Sequence, residues 1–346
     1  MKTIASAYLL IFIFASAAWA QTKMSLAQLA AYNKPDREKV LYTGAKTEGK
    51  ISWYTSLAGG SYKALATAFE AKYPGVKVEA YRGTRQELGA RILAESQAKR
   101  PIVDTLETTL PLLKLLRDDK LLVPYYFPAE AKYPDLVKEK GPKGLYFWAI
   151  DCESHIGLAY NKNSIAGHLV PKNYDGLLRP ELKDRIGLAG SDTGVTVVGA
   201  MLRLRGEEYL KKLKAQNPAV HNVSGRALLD LVISGEVGVS PTTFRNHVEV
   251  SLKANAPIEW IPMDVVPANS GSTAVSVQAP HPHAALLMAD FILGEGGQKV
   301  LEQYEYGSPL KQYPFKRWYP EQGLTTEQYE KLDTRWNKEL RALMRK

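Results

Sequence analysis

The chain has 346 residues, a formal net charge of +9, 45% hydrophobic and 23% charged residues, and a single cysteine. Such a composition is ordinary for a globular protein, and the length suggests about two domains. The positive balance admits anionic ligands, but no Lys/Arg cluster with interleaved aromatics occurs, which argues against nucleic acid. The lone Cys152 excludes an internal disulfide, so the core must hold the fold.

Lys2 precedes an apolar run over residues 4–18, and Ala18-Trp19-Ala20 places small residues before Gln21. This is the three-part pattern of a secretory signal peptide, and the run is too short for a membrane span. Residues 25–41 read as a polar helical segment interrupted near Pro35. The chain is organised around the next stretch, residues 50–78. A β-rich run, Ile51-Ser52-Trp53-Tyr54, leads into a turn rich in hydroxyls and glycine between Thr55 and Ser61. An amphipathic helix follows, with Leu65, Ala68, Phe69 and Ala71 near one face, and Pro74-Gly75 ends it before a second strand from Val76. The result is a βαβ unit whose helix N-terminus offers free N–H groups. That second strand runs into Tyr81-Arg82-Gly83-Thr84-Arg85. Then come a helix over 86–99, a strand ending in Thr108-Thr109, a helix over 111–119 and a return at 121–123. Strands alternating with helices predict a parallel sheet.

Near Tyr146 the rhythm changes, with β-like runs over 145–150 and 156–161 and no helix between them. We read this as the crossing into a second domain. A strand over 183–188 leads through Ala189-Gly190-Ser191-Asp192-Thr193-Gly194 into a helix over 195–204. Helices follow over 207–215 and 224–234, then a strand at 237–240, a helix over 244–254 and an edge strand at 258–261. A return strand at 275–277 precedes helices over 282–293 and 296–304, and a charged helix over 331–344 closes the chain. The expected division is a signal peptide at 1–20, one lobe from 21–150 with 275–346, and a second from 151–274. Crossovers near 149–156 and 271–277 would join them.

The order of these features resembles the periplasmic solute-binding proteins of ABC importers, in the ferric-iron-binding-like branch of extracellular solute-binding family 1. Gly49-Lys50-Ile51-Ser52-Trp53-Tyr54-Thr55-Ser56 is similar to that family's opening strand and loop. Tyr174-Asp175-Gly176-Leu177-Leu178-Arg179-Pro180-Glu181-Leu182-Lys183-Asp184-Arg185-Ile186 resembles its W-x-D-L-x-x-P-x-x-K-G-K-I segment, and Gly235-Glu236-Val237 its G-E-V turn. Ala279-Pro280-His281-Pro282-His283-Ala284 and Gly297-Gln298 resemble its C-terminal helix starts. The resemblance implies an α/β, type II two-lobe fold, with mixed, mainly parallel sheets joined by crossover strands. It also implies a periplasmic location, closure on a small solute, action as a monomer, and an inner-membrane permease and ATPase as partners. In the iron-binding members a tyrosine pair shortly after the G-E-V turn ligates the metal; here Arg245 and Asn246 stand at that spacing. An arginine favours carboxylate or phosphate oxygens, so a directly ligated ferric ion is disfavoured and an anionic solute such as an organic acid or phosphonate is expected. No metal site, cofactor or catalytic residue is expected.

For an anion the first lobe would supply Thr55, Ser56, Arg82, Thr84, Thr108 and Thr109, each following a predicted strand end. The second would supply Ser191, Thr193 and Gly194 at a helix start, with Arg245. Helix capping explains Ser191 or Asp192 equally well, and a solvent-facing arginine explains Arg245. Two rival readings stay open. A cation such as a polyamine or chelated iron would use Glu107, Asp151 and Glu153, unless these acids, with Asp104, pair with Arg82 and Arg245. A secreted hydrolase would need Asp192 of the Asp192-Thr193-Gly194 triplet, which lacks the second triplet a two-carboxylate protease requires.

Overall fold

The structure is a computed structural model that describes residues 24–344, so the expected signal peptide lies outside the described residues. The helices α1 (Leu26–Ala30) and α2 (Arg37–Glu48) come first, and Gly49 ends α2 at φ 77°, where a side chain would be strained. The first lobe then alternates β1 (Lys50–Thr55), α3 (Ser61–Lys72), β2 (Lys77–Arg82), α4 (Arg85–Gln97), β3 (Thr105–Thr109), α5 (Leu110–Asp118) and β4 (Leu122–Val123). As the alternation predicts, β2, β1 and β3 pair in parallel. The C-terminal ends of all three therefore open on the same edge.

After β5 (Lys138–Lys140), the long β stretch expected over residues 145–161 is one strand, β6 (Tyr146–Asn161). The second lobe contains β7 (Gly187–Ala189), α6 (Asp192–Arg205), α7 (Glu207–Ala215), β8 (Ala219–His221), α8 (Gly225–Ser234), β9 (Val239–Phe244), α9 (Arg245–Lys253) and β10 (Ile258–Ile261). The chain returns through β11 (Val266–Ser276), which begins well before the expected residue 275. Its N-terminal half reads Val266-Pro267-Ala268-Asn269-Ser270-Gly271, a loop-like composition that ladder pairing overrides. β11 lies antiparallel between β6 and β3, and β6 continues to pair β9 and β10 in the second lobe. Two long antiparallel strands thus form the crossovers expected near residues 149–156 and 271–277, and carry one mixed sheet through both lobes.

The final elements are α10 (Pro282–Leu293), α11 (Glu295–Gln303), β12 (Arg317–Trp318) and α12 (Thr326–Ala342). Helix α10 is apolar along most of its length and fills the first core beside Trp53, Phe69 and Leu113. A buried ion pair fixes it to α2: Arg37 Nε donates to Asp290 at 2.7 Å, and Arg37 Nη1 donates to the carbonyls of Leu29 and Tyr32. Helix α12 starts at a Thr325–Gln328 capping box, five residues before the expected boundary. It packs in the second core through Tyr329, Trp336 and Leu340, so the segment 275–346 divides between the cores. The contact is close, because a Cβ on Gly199 of α6 would lie 2.6 Å from the Trp336 ring.

Candidate functional site

Strand ends and helix starts from both lobes meet at a cleft of about 590 Å³. From the first lobe it is lined by Ser56, Arg82, Thr84, Arg85 and Thr109, and from the second by Ser191, Thr193, Ser224, Arg226, Phe244 and His247. The expected Thr55–Ser61 loop and the Ser191–Thr193 helix start do face one another. Arg82 donates weakly from Nε to the Leu57 carbonyl at 3.4 Å and has no acidic partner among the described residues. Arg85 instead reaches across the cleft to Asp192, with Nη2 at 3.2 Å from the carboxylate.

The second-lobe wall is built from two helix N-termini. At α6, Ser191 is the N-cap but its hydroxyl makes no capping bond and is buried without any partner. The first N–H groups of α6 also have no intrahelical acceptor. Gly194 is not a wall of the cleft. A Cβ there would lie 1.8 Å from the Ala189 carbonyl, so the glycine lets the helix start against β7. At α8, Ser224 accepts from the Ala227 N–H, and Arg226 is held by Ser251 at 2.9 Å and Asp230 at 2.8 Å. His247 lies beside it, its Nδ1 buried and unpartnered. Burial, and then the charge of Arg226, push the imidazole down to about 4, so it is neutral at pH 7.

Besides Gly194, three expected residues lie elsewhere. Thr55 is fully buried and donates from Oγ1 to Glu107 at 2.6 Å, which makes it a support for that carboxylate. Thr108 points away from its neighbour Thr109 by the strand alternation, and its buried hydroxyl has no partner. Phe244 and His247, three residues apart, face the cleft, so Arg245 between them turns outward to Glu249 at 3.4 Å. There it lines a separate cavity with Trp260, Tyr313 and Phe315. Thr84 does line the cleft, but its hydroxyl is engaged in a capping box with Glu87.

At its hinge end the cleft deepens into a recess of about 100 Å³, reached past Ser56, Thr109, Phe244 and Asn269. Glu107 and Cys152 are exposed to it, together with Gly271, Ser154 and Tyr306. The strand register brings these residues together. Gly271 pairs with Thr109 on one side and Cys152 on the other, and the ladder then skips to Ile150 opposite Ser272. Asp151 is the extra residue of that bulge, and its carboxylate is swung in beside Glu107 and Cys152. One ligand atom from each of the three lies within 4.8 Å of the others.

All three bonds to Glu107 fall on Oε2: the Thr55 hydroxyl at 2.6 Å and the Ser56 and Leu57 N–H groups, both at 3.1 Å. Asp151 Oδ2 accepts from the Thr273 hydroxyl at 2.6 Å, while Oδ1 is buried with no partner. Burial, and then the Asp151 charge, hold Glu107 well above the ordinary carboxylate range, and burial raises Asp151. Burial also pushes the Cys152 thiol up, so it is a protonated thiol at neutral pH.

The other acids considered from sequence find partners outside the cleft. Glu153 accepts from Arg317 at 2.9 Å, Tyr319 at 2.5 Å and lies 2.6 Å from His155. Asp104 accepts from the Ser52 and His281 N–H groups and lies 2.8 Å from the His281 ring. Neither uses Arg82 or Arg245. Glu321, which lines the cleft, is pushed by burial up to about 7. Sequence reading did not single out Arg226, His247, Asn269 or Glu321. Ser224-Gly225 before an apolar helix was the one local signal for the α8 wall.

Residues 111–325 match the family of bacterial extracellular solute-binding proteins, which is more than half of the chain. No curated protein matches the sequence. Among solved structures, iron-bound HitA from Pseudomonas aeruginosa is similar at 22% identity and a TM-score of 0.68, with 85% of this chain and 99% of that one covered. AfuA from Actinobacillus pleuropneumoniae with fructose-6-phosphate bound gives 21% and 0.67, covering 85% and 99%. The substrate-binding protein of an ABC transporter from Agrobacterium tumefaciens gives 15% and 0.71, covering 84% and 94%.

Proposed function

The chain belongs to the bacterial extracellular solute-binding proteins, and from that premise we propose that it captures a small anionic solute in the interlobe cleft for import by an ABC permease and ATPase. The protein acts in the periplasm after removal of its signal peptide, as a monomer and without chemistry of its own. No helix among the described residues is long and apolar enough to cross a membrane. Asp192, the residue a hydrolase reading would need, is mostly exposed and bridged to Arg85.

The observation that carries the anion reading is the facing arrangement of Arg82, without an acidic partner, and the α6 start, with the unpartnered Ser191 hydroxyl. Helix N-termini and guanidinium groups both favour oxygen anions, and the α8 start with Arg226 adds a second such group. A fructose-6-phosphate complex among the similar structures agrees with a phosphorylated or otherwise anionic solute. Closure follows if the solute makes contacts in the closed form that it lacks in the open one.

A direct metal reading is favoured by the similar iron-bound structure and by the Glu107, Asp151 and Cys152 cluster, but no pair of adjacent tyrosines among the described residues lines the cleft. A thermal-shift panel of phosphate esters, phosphonates, carboxylates, ferric citrate and ferric ion separates the two. A ligand at a hundred times its Kd stabilises the folded state by about 2.7 kcal/mol. The anion reading requires an organic or inorganic anion to produce that shift. It fails if ferric ion alone does so.

A further inference from the structure

We propose that the recess at the hinge end of the cleft receives an ammonium group of the solute, so that the solute is a zwitterion with its anionic end in the outer cleft. The inference rests on the anion reading above and names the solute class more narrowly. It starts from an imbalance of charge. Glu153, Asp104 and Asp290 are each buried beside a basic partner, Arg317, His281 and Arg37 respectively, while Glu321 is buried alone without an ion pair among the described residues. Glu107 and Asp151 are 1% and 0% exposed, lie together, and have no Lys, Arg or His within ion-pair distance among the described residues. Burying a second charge beside the first is costly, so the unliganded pair retains a proton. A cation brought by the solute would replace that proton.

The recess is shaped for such a group. Gly271 forms its floor, where a Cβ would lie 2.5 Å from Glu107 Oε1, 2.6 Å from Cys152 Sγ and 3.1 Å from Asp151 Oδ1. The missing side chain therefore leaves Glu107 Oε1, which accepts no hydrogen bond from the protein, open to the cavity. Asp151 Oδ1, buried and unpartnered, is aimed at the same cluster. The volume of about 100 Å³ compares with the ~10–15 Å³ that one water needs, enough for an ammonium group and its carbon. Ser56, Thr109 and Asn269 line both the recess and the outer cleft, so one solute can occupy both.

The charges are segregated along this path. Arg82, Arg85 and Arg226 line the outer cleft, and among the described residues no Lys or Arg lines the recess. The titratable groups that face the carboxylate pair are Cys152 on β6, Tyr306, Tyr125 and Tyr133, with His247 of α9 at the recess wall. The thiol and phenols are neutral at pH 7 and His247 is held neutral, so none of them supplies the missing positive charge. An ammonium group donating to Glu107 Oε1 ionises the pair, and one proton leaves to the buffer. Binding therefore strengthens as the pH rises through neutrality.

The test is calorimetric titration of the full chain with matched probes: 3-aminopropylphosphonate against propylphosphonate, and 4-aminobutyrate against butyrate. An ammonium in contact with a desolvated carboxylate gives the amino probe an advantage of at least about tenfold in affinity. Glu107→Gln, which keeps the shape and removes the charge, brings the two members of each pair to similar affinities. Titration of the wild type in buffers of different ionisation enthalpy shows proton release with the amino probe and none with its partner. Equal affinities within each pair for the wild type, or an amino preference that survives in Glu107→Gln, overturn the inference while leaving the anion reading standing. Failure of all four probes and of every anion in the thermal-shift panel overturns both. A shift by a divalent or ferric ion, suppressed in Glu107→Gln, assigns the recess to a metal and also overturns it.

Discussion

Substituting Gly271 by alanine tests the geometry of the recess floor. The new methyl carbon would sit 2.5 Å from Glu107 Oε1 and 2.6 Å from Cys152 Sγ, both on side chains packed in the hinge. Neither is the free end of a surface side chain, so relief requires β3 or β6 to shift. Overpacking of this kind costs about 1–3 kcal/mol. Unfolding entropy of about 2.1 cal/mol/K per residue over roughly 320 folded residues converts 1 kcal/mol into about 1.5 °C. Gly271→Ala should therefore melt about 1.5–4.5 °C lower, measured by circular dichroism without ligand. The same methyl group fills the recess, so binding of 4-aminobutyrate or 3-aminopropylphosphonate should weaken more than binding of the matched probe without the amine. An unchanged melting temperature together with unchanged binding would show that the carboxylates yield freely and that the missing Cβ does not define the recess.

The raised carboxylates give stability a defined pH dependence. Glu107, Asp151 and Glu321 hold protons more tightly folded than unfolded, so they support the fold below the unfolded carboxylate range near pH 4 and withdraw that support as pH rises through neutrality. Each such group contributes a fall of up to about 1.4 kcal/mol per pH unit within its window. Urea melts of the unliganded protein at pH 6.5 and 8.5 should show lower stability at the higher pH, and Glu107→Gln should flatten the slope; a steeper slope in the variant would contradict the assignment. Arg37→Met should lose about 3–5 kcal/mol, because it strands Asp290 in the first core, and adding Asp290→Leu should restore most of it. Equal losses in the single and double variants, by denaturant unfolding, would mean that the ion pair is not what Arg37 contributes.

The two walls of the cleft were legible in sequence because their signals are local. A strand followed by a short hydroxyl-rich loop and a helix start describes both Thr55–Ser61 and Ser191–Thr193. Loss of legibility begins where placement depends on pairing between distant segments. The β11 run Asn269-Ser270-Gly271 has the composition of a turn, yet it lies between β3 and β6 and forms the recess floor. Asp151 reaches Glu107 only because a bulge displaces the ladder at Gly271. Arg245 stood at the right distance from the G-E-V turn, but the helical period of α9 sends it outward and brings in His247. The packing of α12 on the second core was equally hidden, since an amphipathic helix shows which face is buried and not which lobe buries it.

The central claim is that one solute is held by both walls at once. Hydrogen–deuterium exchange, with and without whichever anion gives the largest thermal shift, tests this most directly. Binding across the cleft predicts slowed exchange in the segments around Ser56–Leu57, Asp192–Val195 and Gly225–Ala227 together. Protection confined to one lobe, or centred on the Arg245 cavity, would contradict it.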